Sequence, residues 1–400
     1  MCSFGLTNQC TRGNSCKFNN THGMITINVN LSATPNNEHI CCLNMVNTAQ
    51  GPVILTGSRD KSVKGFLVNN KNSFSLLSNV ANAGNLLSPI GSVRNIEIND
   101  STLMWAVQEP LKYTEIDNMP LLQYSSSDDA DLHVGIVYLV DESNMTNKLP
   151  LHISPDRPYT HSQQVRSFII AKIDGQMFVM TGGGEGTIRF WKFDPISTTF
   201  KLLKSLEGHL RDITALWYDE GGENGLLWSG STDRTIRVWR VNNGECIATL
   251  VLSTDATGQT TPGHDGVISC FEKVTIDDTI YLASGGGDGN VIIWNTTDGS
   301  YAQHCSHGNV FISAMKTVTD PSGTSLLVIA VTNGKLYLRA LDNQMTLLCV
   351  LENGCQRNFV WGIVDLYGLV PVNNESPSCF VTAGDDGKLI LWSINASLLS

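Results

Sequence analysis

Alternating apolar and polar residues recur along the chain in short runs that end at a large aromatic residue. The clearest copy is LLWSGSTDRTIRVW, residues 226–239, in which two alternating runs flank a turn that holds a glycine and an acid. Alternation on both sides of a turn predicts two antiparallel strands joined as a hairpin. Helical periodicity is hard to find. The chain is therefore predicted to be all-β.

The same pattern repeats at intervals. Further strong copies end at Phe66, Trp191, Trp294 and Trp392. Two weaker copies, at residues 103–140 and 327–340, fill the gaps when Leu139 and Ala340 are taken as the equivalents of the tryptophan. Seven units with a period of about 40–50 residues are typical of β-propeller blades with four strands each. We therefore expect a seven-bladed propeller, with the one long step explained by an insertion between strands.

These copies resemble the WD40 repeat, whose signature is a GH pair followed by a run similar to SGSxDxTIxxW. Gly208-His209 precedes the copy at Trp239, and Gly263-His264 precedes the copy at Trp294. The resemblance covers about residues 24–400, although no tryptophan is followed by Asp. It implies a hydrogen-bonded chain of four side chains inside each of two blades: His209, Ser229, Asp233 and Trp239, and His264, Ser284, Asp288 and Trp294.

The two ends of the propeller segment are predicted to meet. Only the eight residues 393–400 follow Trp392, which is short for a turn and a fourth strand, whereas MITINVNL at residues 24–31 alternates. We expect this N-terminal strand to complete the last blade. Such closure leaves no open sheet edge.

The first 23 residues have a different composition and are assigned to a separate small domain, 1–23, before the propeller, 24–400. They contain Cys2, Cys10, Cys16 and His22 at the spacing C-x7-C-x5-C-x5-H. Three thiolates and an imidazole at short spacing suit a closed tetrahedral Zn²⁺ site. Zinc binding can stabilise a segment that is too small to build a core.

The segment CTRGNSCKF resembles the second half of a CCCH zinc finger, with Arg12, Gly13 and Phe18 in register between and after the cysteines. The family pattern would place the fourth ligand at Asn20, and the first histidine comes two residues later. A finger followed by a propeller resembles the plant-type CCCH and WD40 proteins over the whole chain. The resemblance implies binding of single-stranded RNA, in which aromatic rings stack on bases. The candidate contacts are Phe4 and Phe18 with bases, and Arg12 and Lys17 with phosphates.

Charge separates the same two parts. The net charge is −11, from 26 basic and 37 acidic residues. Residues 1–37 hold two basic residues and no acid, so the remainder carries 24 − 37 = −13. A negative propeller favours protein partners over nucleic acid. The loops before the first strand of a blade and between its second and third strands are the expected protein-binding face, and the candidate residues there are Arg59, Arg211, Asp212, Asp265 and Trp361.

Catalysis is not supported by the sequence. The glycine runs at 182–184 and 285–287 sit at the same repeat position and lack the P-loop pattern, so they are interpreted as turns. There is no HExxH pair and no apolar run long enough for a membrane span. Eleven cysteines without a secretory leader predict free thiols in a reducing, intracellular setting, either nucleus or cytoplasm.

The sequence thus predicts a monomeric, non-enzymatic scaffold whose propeller binds proteins and whose finger contacts RNA or another nucleic acid. The alternative is a purely protein-binding WD40 scaffold, including a ubiquitin-ligase adaptor, in which the finger is structural or has decayed.

Overall fold

The structure is a computed structural model that describes residues 25–33, 39–48, 51–60, 62–69, 73–81, 90–98, 101–108, 134–140, 161, 165–194, 199–219, 225–254, 260–352, 359–369 and 378–396. All regular elements in these ranges are β-strands, and no helix long and apolar enough to cross a membrane occurs among them. In chain order the strands are β1 (Ile25–Ala33), β2 (Ile40–Thr48), β3 (Gly51–Ser58), β4 (Val63–Asn69), β5 (Ser73–Ala81), β6 (Ile90–Ile98), β7 (Ser101–Gln108), β8 (Val134–Val140), β9 (Val165–Ile173), β10 (Gln176–Gly183), β11 (Ile188–Asp194), β12 (Thr199–Leu206), β13 (Ile213–Tyr218), β14 (Leu226–Ser231), β15 (Ile236–Arg240), β16 (Cys246–Leu250), β17 (Ser253–Thr254), β18 (Thr260–Thr261), β19 (Ile268–Ile276), β20 (Thr279–Gly286), β21 (Asn290–Asn295), β22 (Tyr301–Ser306), β23 (Ile312–Thr319), β24 (Ser325–Val331), β25 (Leu336–Ala340), β26 (Leu347–Leu351), β27 (Val360–Asp365), β28 (Ser378–Gly384) and β29 (Leu389–Ala396).

Most strands form antiparallel sheets of neighbours in sequence. The orders are β2-β3-β4-β5, β6-β7-β8, β9-β10-β11-β12, β13-β14-β15-β16, β19-β20-β21-β22, β23-β24-β25-β26 and β27-β28-β29-β1, with β17-β18 as a separate hairpin. The first strand of each sheet contacts the first strand of the next, and β27 returns to contact β2. The sheets are therefore arranged as a closed ring, the architecture of a β-propeller.

The number of blades differs from the sequence prediction. Six sheets have four strands in the described residues, rather than the seven predicted. The sheet at the place of the predicted second blade, β6-β7-β8, has three strands. The residues after β8, 141–160, lie outside the described ranges, and so does most of the insertion before it. The long spacing between repeats reflects these segments.

The ring is joined by β1, which pairs with β29 on the outer side of the last sheet. Ile25 lies opposite Ala396 and Ala33 lies opposite Leu389, so the pairing extends along the whole strand. The strand predicted at 24–31 is thus observed as β1, and Met24 lies outside the described residues. This pairing covers an edge that would otherwise expose a row of unpaired amides and carbonyls.

The core lies between neighbouring sheets. Ile188 and Phe190 of β11 pack in one cluster with Leu216, Leu227 and Trp239 of the next sheet, and all five are buried. Each such side chain contributes about 1.5–3 kcal/mol when it leaves water. Because β14 is buried at every residue, its sequence is a continuous run of apolar and small residues and does not alternate strictly.

One side of the ring, here called the turn face, carries the turns between the second and third strands and the loops that enter the first strands. Main-chain hydrogen bonds join these two kinds of segment: Arg59 N to His39 O, Thr232 N to Asp212 O, Gly287 N to Val267 O, Thr332 N to Phe311 O and Asp385 N to Phe359 O, at 2.8–3.0 Å. The turn face is therefore built the same way in five of the described sheets.

The first strand of each sheet in the described ring also has a β-bulge next to the turn face. The bulged residues are Cys41, Gly91, Arg166, Thr214, Ser269, Ser313 and Trp361. The hydroxyls at two of these positions donate to the following sheet: Thr214 to Ile268 O, and Ser313 to Val360 O at 2.7 Å. A small hydroxyl side chain at this position therefore ties neighbouring sheets together.

Candidate functional site

The predicted blade residues form hydrogen-bonded chains inside two sheets. His209 Nδ1 lies 2.9 Å from the carboxylate of Asp233, His209 Nε2 lies 2.7 Å from Ser229 Oγ, and Trp239 Nε1 donates to the same Oγ at 2.8 Å. The equivalent distances for His264, Asp288, Ser284 and Trp294 are 3.0, 2.8 and 2.8 Å. Each chain joins a loop, a turn and two strands, so its geometry is that of a structural brace.

The acids in these chains are held as carboxylates. Burial opposes ionisation of Asp288, but its hydrogen bond to His264 and its main-chain donors outweigh this and lower its pKa to about 2. The pKa of Asp233 is lowered by the same balance, with His209, Thr235 and the Leu210 amide as donors. Because each imidazole is held between an acid and a hydroxyl and is buried, neither histidine is placed to act on an external substrate.

A third chain was not identified from the sequence. His161 contacts Glu185 through Nδ1 and lies 2.7 Å from Thr181 Oγ1 through Nε2, and Trp191 donates to that hydroxyl at 2.9 Å. The signal was present in the spacing, since His161 lies 20 residues before Thr181 just as His209 lies 20 residues before Ser229. It was missed because no glycine precedes His161 and the acid is Glu185. The last sheet keeps only the bond between the indole and the hydroxyl, without the histidine: Trp392 Nε1 donates to Thr382 Oγ1 at 2.9 Å.

The sheet β23–β26 replaces the chain with a different pair. In the other sheets, the tryptophan of the third strand pairs with a fixed position of the second strand. In this sheet that position is Leu327, and its partner is Arg339 and not Ala340. The assignment of Ala340 was therefore wrong by one residue. Arg339 Nε donates to His307 Nε2 at 3.2 Å, and Nη1 donates to Met345 O at 2.6 Å. Burial and the Arg339 charge lower the pKa of His307 to about 4, so this imidazole is neutral.

The weak copy in β6–β8 shows a similar slip. Tyr138 pairs with Met104, and Leu139 pairs with the next residue, Leu103. When the sheets are aligned by the bulge near the start of their first strands, Ala106 stands at the position that holds the brace hydroxyl in other sheets. Tyr138 and not Leu139 is then the equivalent of the tryptophan.

The five residues predicted for protein binding all lie on the turn face, but they do not form one cluster. Arg59 and Arg211 are exposed. The Asp212 carboxylate forms an ion pair with Arg166 Nε at 3.2 Å, and the Asp265 carboxylate forms one with Arg234 Nη1 at 3.1 Å. Each pair bridges two neighbouring sheets. Surface ion pairs of this kind contribute about 0–1 kcal/mol. The sequence did not indicate Leu210, which is 85% exposed on the same face.

Trp361 lies apart from these pairs, where the last sheet meets the first. Its indole Nε1 donates to Asp385 Oδ1 at 2.6 Å, and the ring of Phe359 stacks on it at 4.7 Å between centroids. The same Asp385 oxygen lies 3.2 Å from His39 Nδ1 of the first sheet. Trp361 stays 37% exposed, so it combines a fixed orientation with an accessible aromatic surface.

The candidate finger residues lie outside the described residues. These are Cys2, Cys10, Cys16 and His22 for zinc, and Phe4, Arg12, Lys17 and Phe18 for nucleic acid. Within the described ranges, no group of three or more His, Cys, Asp or Glu side chains is placed to hold a metal ion. The seven cysteines in those ranges are free thiols, and burial raises the pKa of Cys349 to about 12.

Comparison with known proteins finds the repeat in two places. Residues 200–240 and 256–295 match the family model described as WD domain, G-beta repeat. The first match runs from β12 into β15, and the second ends with β21, so each sequence repeat includes the outer strand or linker of one sheet and the inner strands of the next. The two matched segments are the ones that contain His209 to Trp239 and His264 to Trp294.

Curated relatives share parts of the chain. Zinc finger CCCH domain-containing protein 62 of Arabidopsis thaliana is 42% identical over 89 residues, 22% of this chain and 19% of that protein. Zinc finger CCCH domain-containing protein 59 of the same plant is 34% identical over 119 residues, 29% of this chain and 22% of that protein. Eukaryotic translation initiation factor 3 subunit I of Lodderomyces elongisporus is 33% identical over 127 residues, 31% of each chain. The aligned parts span less than a third of each relative. With the ring and its braces, these matches show that the chain is an all-β propeller that contains WD40 repeats.

Proposed function

We propose that this protein is a non-enzymatic scaffold that joins a protein partner, bound on the turn face of the ring, to RNA or another nucleic acid, bound by the N-terminal segment. The observation that carries the proposal is the contrast between the side chains inside the sheets and those on the turn face. The histidines of the three braces are buried and their acids are half-buried and hydrogen-bonded, whereas Leu210, Arg59, Arg211 and Trp361 are exposed on the turn face. Such a surface suits contact with another macromolecule. WD40 propellers typically serve as protein-interaction scaffolds.

The nucleic-acid part of the proposal rests on residues 1–23. Cys2, Cys10, Cys16 and His22 match the donor set of a structural zinc site, in which the metal holds the segment folded. Phe4 and Phe18 would stack on bases, and Arg12 and Lys17 would contact phosphates. Two relatives are named for a CCCH zinc finger, which supports this assignment. The charge of −13 outside residues 1–37 keeps nucleic acid away from the ring.

The experiment combines zinc content and crosslinking on the full chain. We expect one zinc per chain by elemental analysis, and ultraviolet crosslinking to a labelled single-stranded RNA that falls strongly in Phe18→Ala. The exchange Asn8→Ala in the same segment is the matched control and should leave crosslinking unchanged. Two cations predict a shallow salt dependence, with Lys17→Ala reducing the slope by about one charge.

A second function is favoured by the position of His22, two residues beyond the place where the CCCH pattern has its fourth ligand. In this alternative the chain is a purely protein-binding scaffold, such as a ubiquitin-ligase adaptor, and the first residues are structural or have decayed. A chain without zinc and without Phe18-dependent crosslinking, which still captures protein partners through the turn face, would support the alternative and exclude the first proposal.

Partner capture tests the part that both functions share. Crosslinking mass spectrometry of the complex should place partner contacts on the turn face, near Leu210 and Arg211. Contacts confined to the opposite face would contradict the proposed use of the ring.

A further inference from the structure

The bulge at Trp361 differs from three other bulges of the ring. Thr214, Ser269 and Ser313 carry small hydroxyl side chains at the same position, and two of these donate to the next sheet. In the last sheet the position holds an indole that is 37% exposed, the largest apolar side chain available. An accessible tryptophan at this position is a candidate anchor for a protein partner.

The indole is held in one orientation by polar groups from three places. Nε1 donates to Asp385 Oδ1 at 2.6 Å, and the Asp385 amide donates to Phe359 O at 3.0 Å. His39 of the first sheet holds the same carboxylate at 3.2 Å. A side chain fixed in this way loses little conformational entropy on binding, which favours its use as an anchor.

The neighbouring rings decide which part of the indole is accessible. Phe359 stacks on Trp361 with the ring planes 3° apart, and Phe311 meets Phe359 edge-on at 6.3 Å. Phe359 covers one face of the indole and Asp385 accepts the hydrogen bond of its N–H, so a cation that stacks on the ring has to approach the other face. That face presents the negative side of the ring quadrupole beside a carboxylate.

We infer that Trp361 and Asp385 form a binding site for the cationic side chain of a lysine or arginine on the protein partner. This inference deepens the proposed function and rests on it. A cation over the face of a tryptophan is attracted by the ring, and tryptophan is the aromatic side chain that does this best. The charge of −13 outside residues 1–37 adds long-range attraction for a basic partner and repels an acidic one.

The test uses defined peptides and the full chain. Fluorescein-labelled octapeptides carry arginine, lysine, citrulline or glutamate at one central position between glycines and serines, and binding is followed by fluorescence anisotropy. We expect the arginine and lysine peptides to bind, and the citrulline peptide, which keeps the shape of arginine without its charge, to bind about 3- to 30-fold more weakly. The glutamate peptide should not bind.

Variants separate this site from the rest of the surface. Trp361→Ala should weaken binding of the arginine peptide by about 3- to 30-fold. Trp361→Phe should weaken it by less, because the smaller ring retains part of the attraction. Leu203→Ala, an exposed apolar residue on the outer strand β12 and not on the turn face, should leave the affinity unchanged. Asp385→Asn should also weaken binding, since it removes the charge and keeps an acceptor for the indole N–H. Circular dichroism and melting curves of each variant establish that the ring is intact.

Several outcomes would overturn the inference. These are no binding of the arginine peptide to the wild type at 1 mM, equal affinities for arginine and citrulline, or an unchanged affinity in a folded Trp361→Ala. The scaffold function fails separately, when crosslinking places no partner on the turn face. If partners bind the turn face of wild type and Trp361→Ala equally, the scaffold remains and the cation site is wrong.

Discussion

Ser229 accepts the indole N–H of Trp239 at 2.8 Å, with the serine fully buried and the tryptophan 2% exposed. The same oxygen lies 2.7 Å from His209 Nε2, and His209 Nδ1 reaches Asp233 at 2.9 Å. The serine hydroxyl therefore stands between the imidazole and the indole. One hydroxyl thus links the second and third strands of the sheet to the loop that enters it.

Ser229→Ala should destabilise the protein by about 2–4 kcal/mol, because it leaves two buried groups, the Trp239 N–H and the His209 Nε2, without partners. Urea unfolding measures the change. The exposed Ser306→Ala on β22 is the control and should alter the free energy of unfolding by less than about 0.5 kcal/mol. A loss in Ser229→Ala as small as in the control would show that the chain does not brace the sheet.

Asp365, on the first strand of the last sheet, predicts a pH dependence. Burial raises its pKa to about 6, and the charge of Lys316 reverses this only in part. The folded state therefore binds a proton more readily than the unfolded state, so the destabilisation grows as the pH rises from the unfolded value near 3.8 to about 6, is complete above that and is absent below 3.8. Asp365→Asn should raise the melting temperature at pH 8.

The gain in melting temperature from Asp365→Asn should shrink as the pH falls from about 6 towards 4. Asp365 then becomes protonated in the unfolded chain as well as in the folded protein, so wild type and variant are both neutral at this position. Calorimetry at pH 8 and pH 4.5 measures the difference. The exposed Glu207→Gln is the control and should show no such dependence. A gain that is constant with pH would mean that Asp365 does not carry the effect.

Two glycines with the same backbone conformation differ in their surroundings. Gly289 has φ 74° and Gly308 has φ 80°. A Cβ at Gly289 would overlap the carbonyl oxygen of Gly308, whereas a Cβ at Gly308 meets nothing within 4 Å. Gly308→Ala should cost about 1 kcal/mol from backbone strain alone, and Gly289→Ala clearly more. Equal losses in thermal unfolding would show that the steric contact is unimportant.

Closure of the ring is testable by deletion. Removal of residues 1–33 takes away β1 and leaves β29 with an open edge, so we expect a lower melting temperature and aggregation. Removal of residues 1–24 keeps β1 and serves as the control. Light scattering on a sizing column and calorimetry report the outcome. A monomeric product with unchanged melting after the longer deletion would contradict closure by β1.

The periodic features of the ring were accessible from the sequence because each brace places its residues at fixed spacing. The hydroxyl lies ten residues before the tryptophan and four before the acid, as in Ser229, Asp233 and Trp239. Thr181 and Thr382 repeat this spacing to Trp191 and Trp392. Where a brace used another acid, as Glu185, the spacing still held, but the residue types no longer identified it.

The non-periodic features were not accessible. Ala340 seemed a suitable apolar equivalent of tryptophan, yet Arg339 occupies the position because its guanidinium reaches His307 and the Met345 carbonyl inside the protein. The interblade ion pairs and the edge contact of Phe311 with Phe359 join residues that different sheets bring together. Local patterns carry no information about such contacts, since they depend on how the sheets are placed around the ring.

The direction of β1 has a spatial consequence. Ala33 lies opposite Leu389, beside the 385–388 turn of the turn face, whereas Ile25 lies opposite Ala396 at the far end of the strand. Ile25 therefore lies on the side of the ring away from Trp361. A nine-residue strand spans about 30 Å, so a ligand held next to Ile25 and a protein seated on Trp361 are separated by the full depth of the ring. Two ligands in these positions would contact opposite ends of the last sheet.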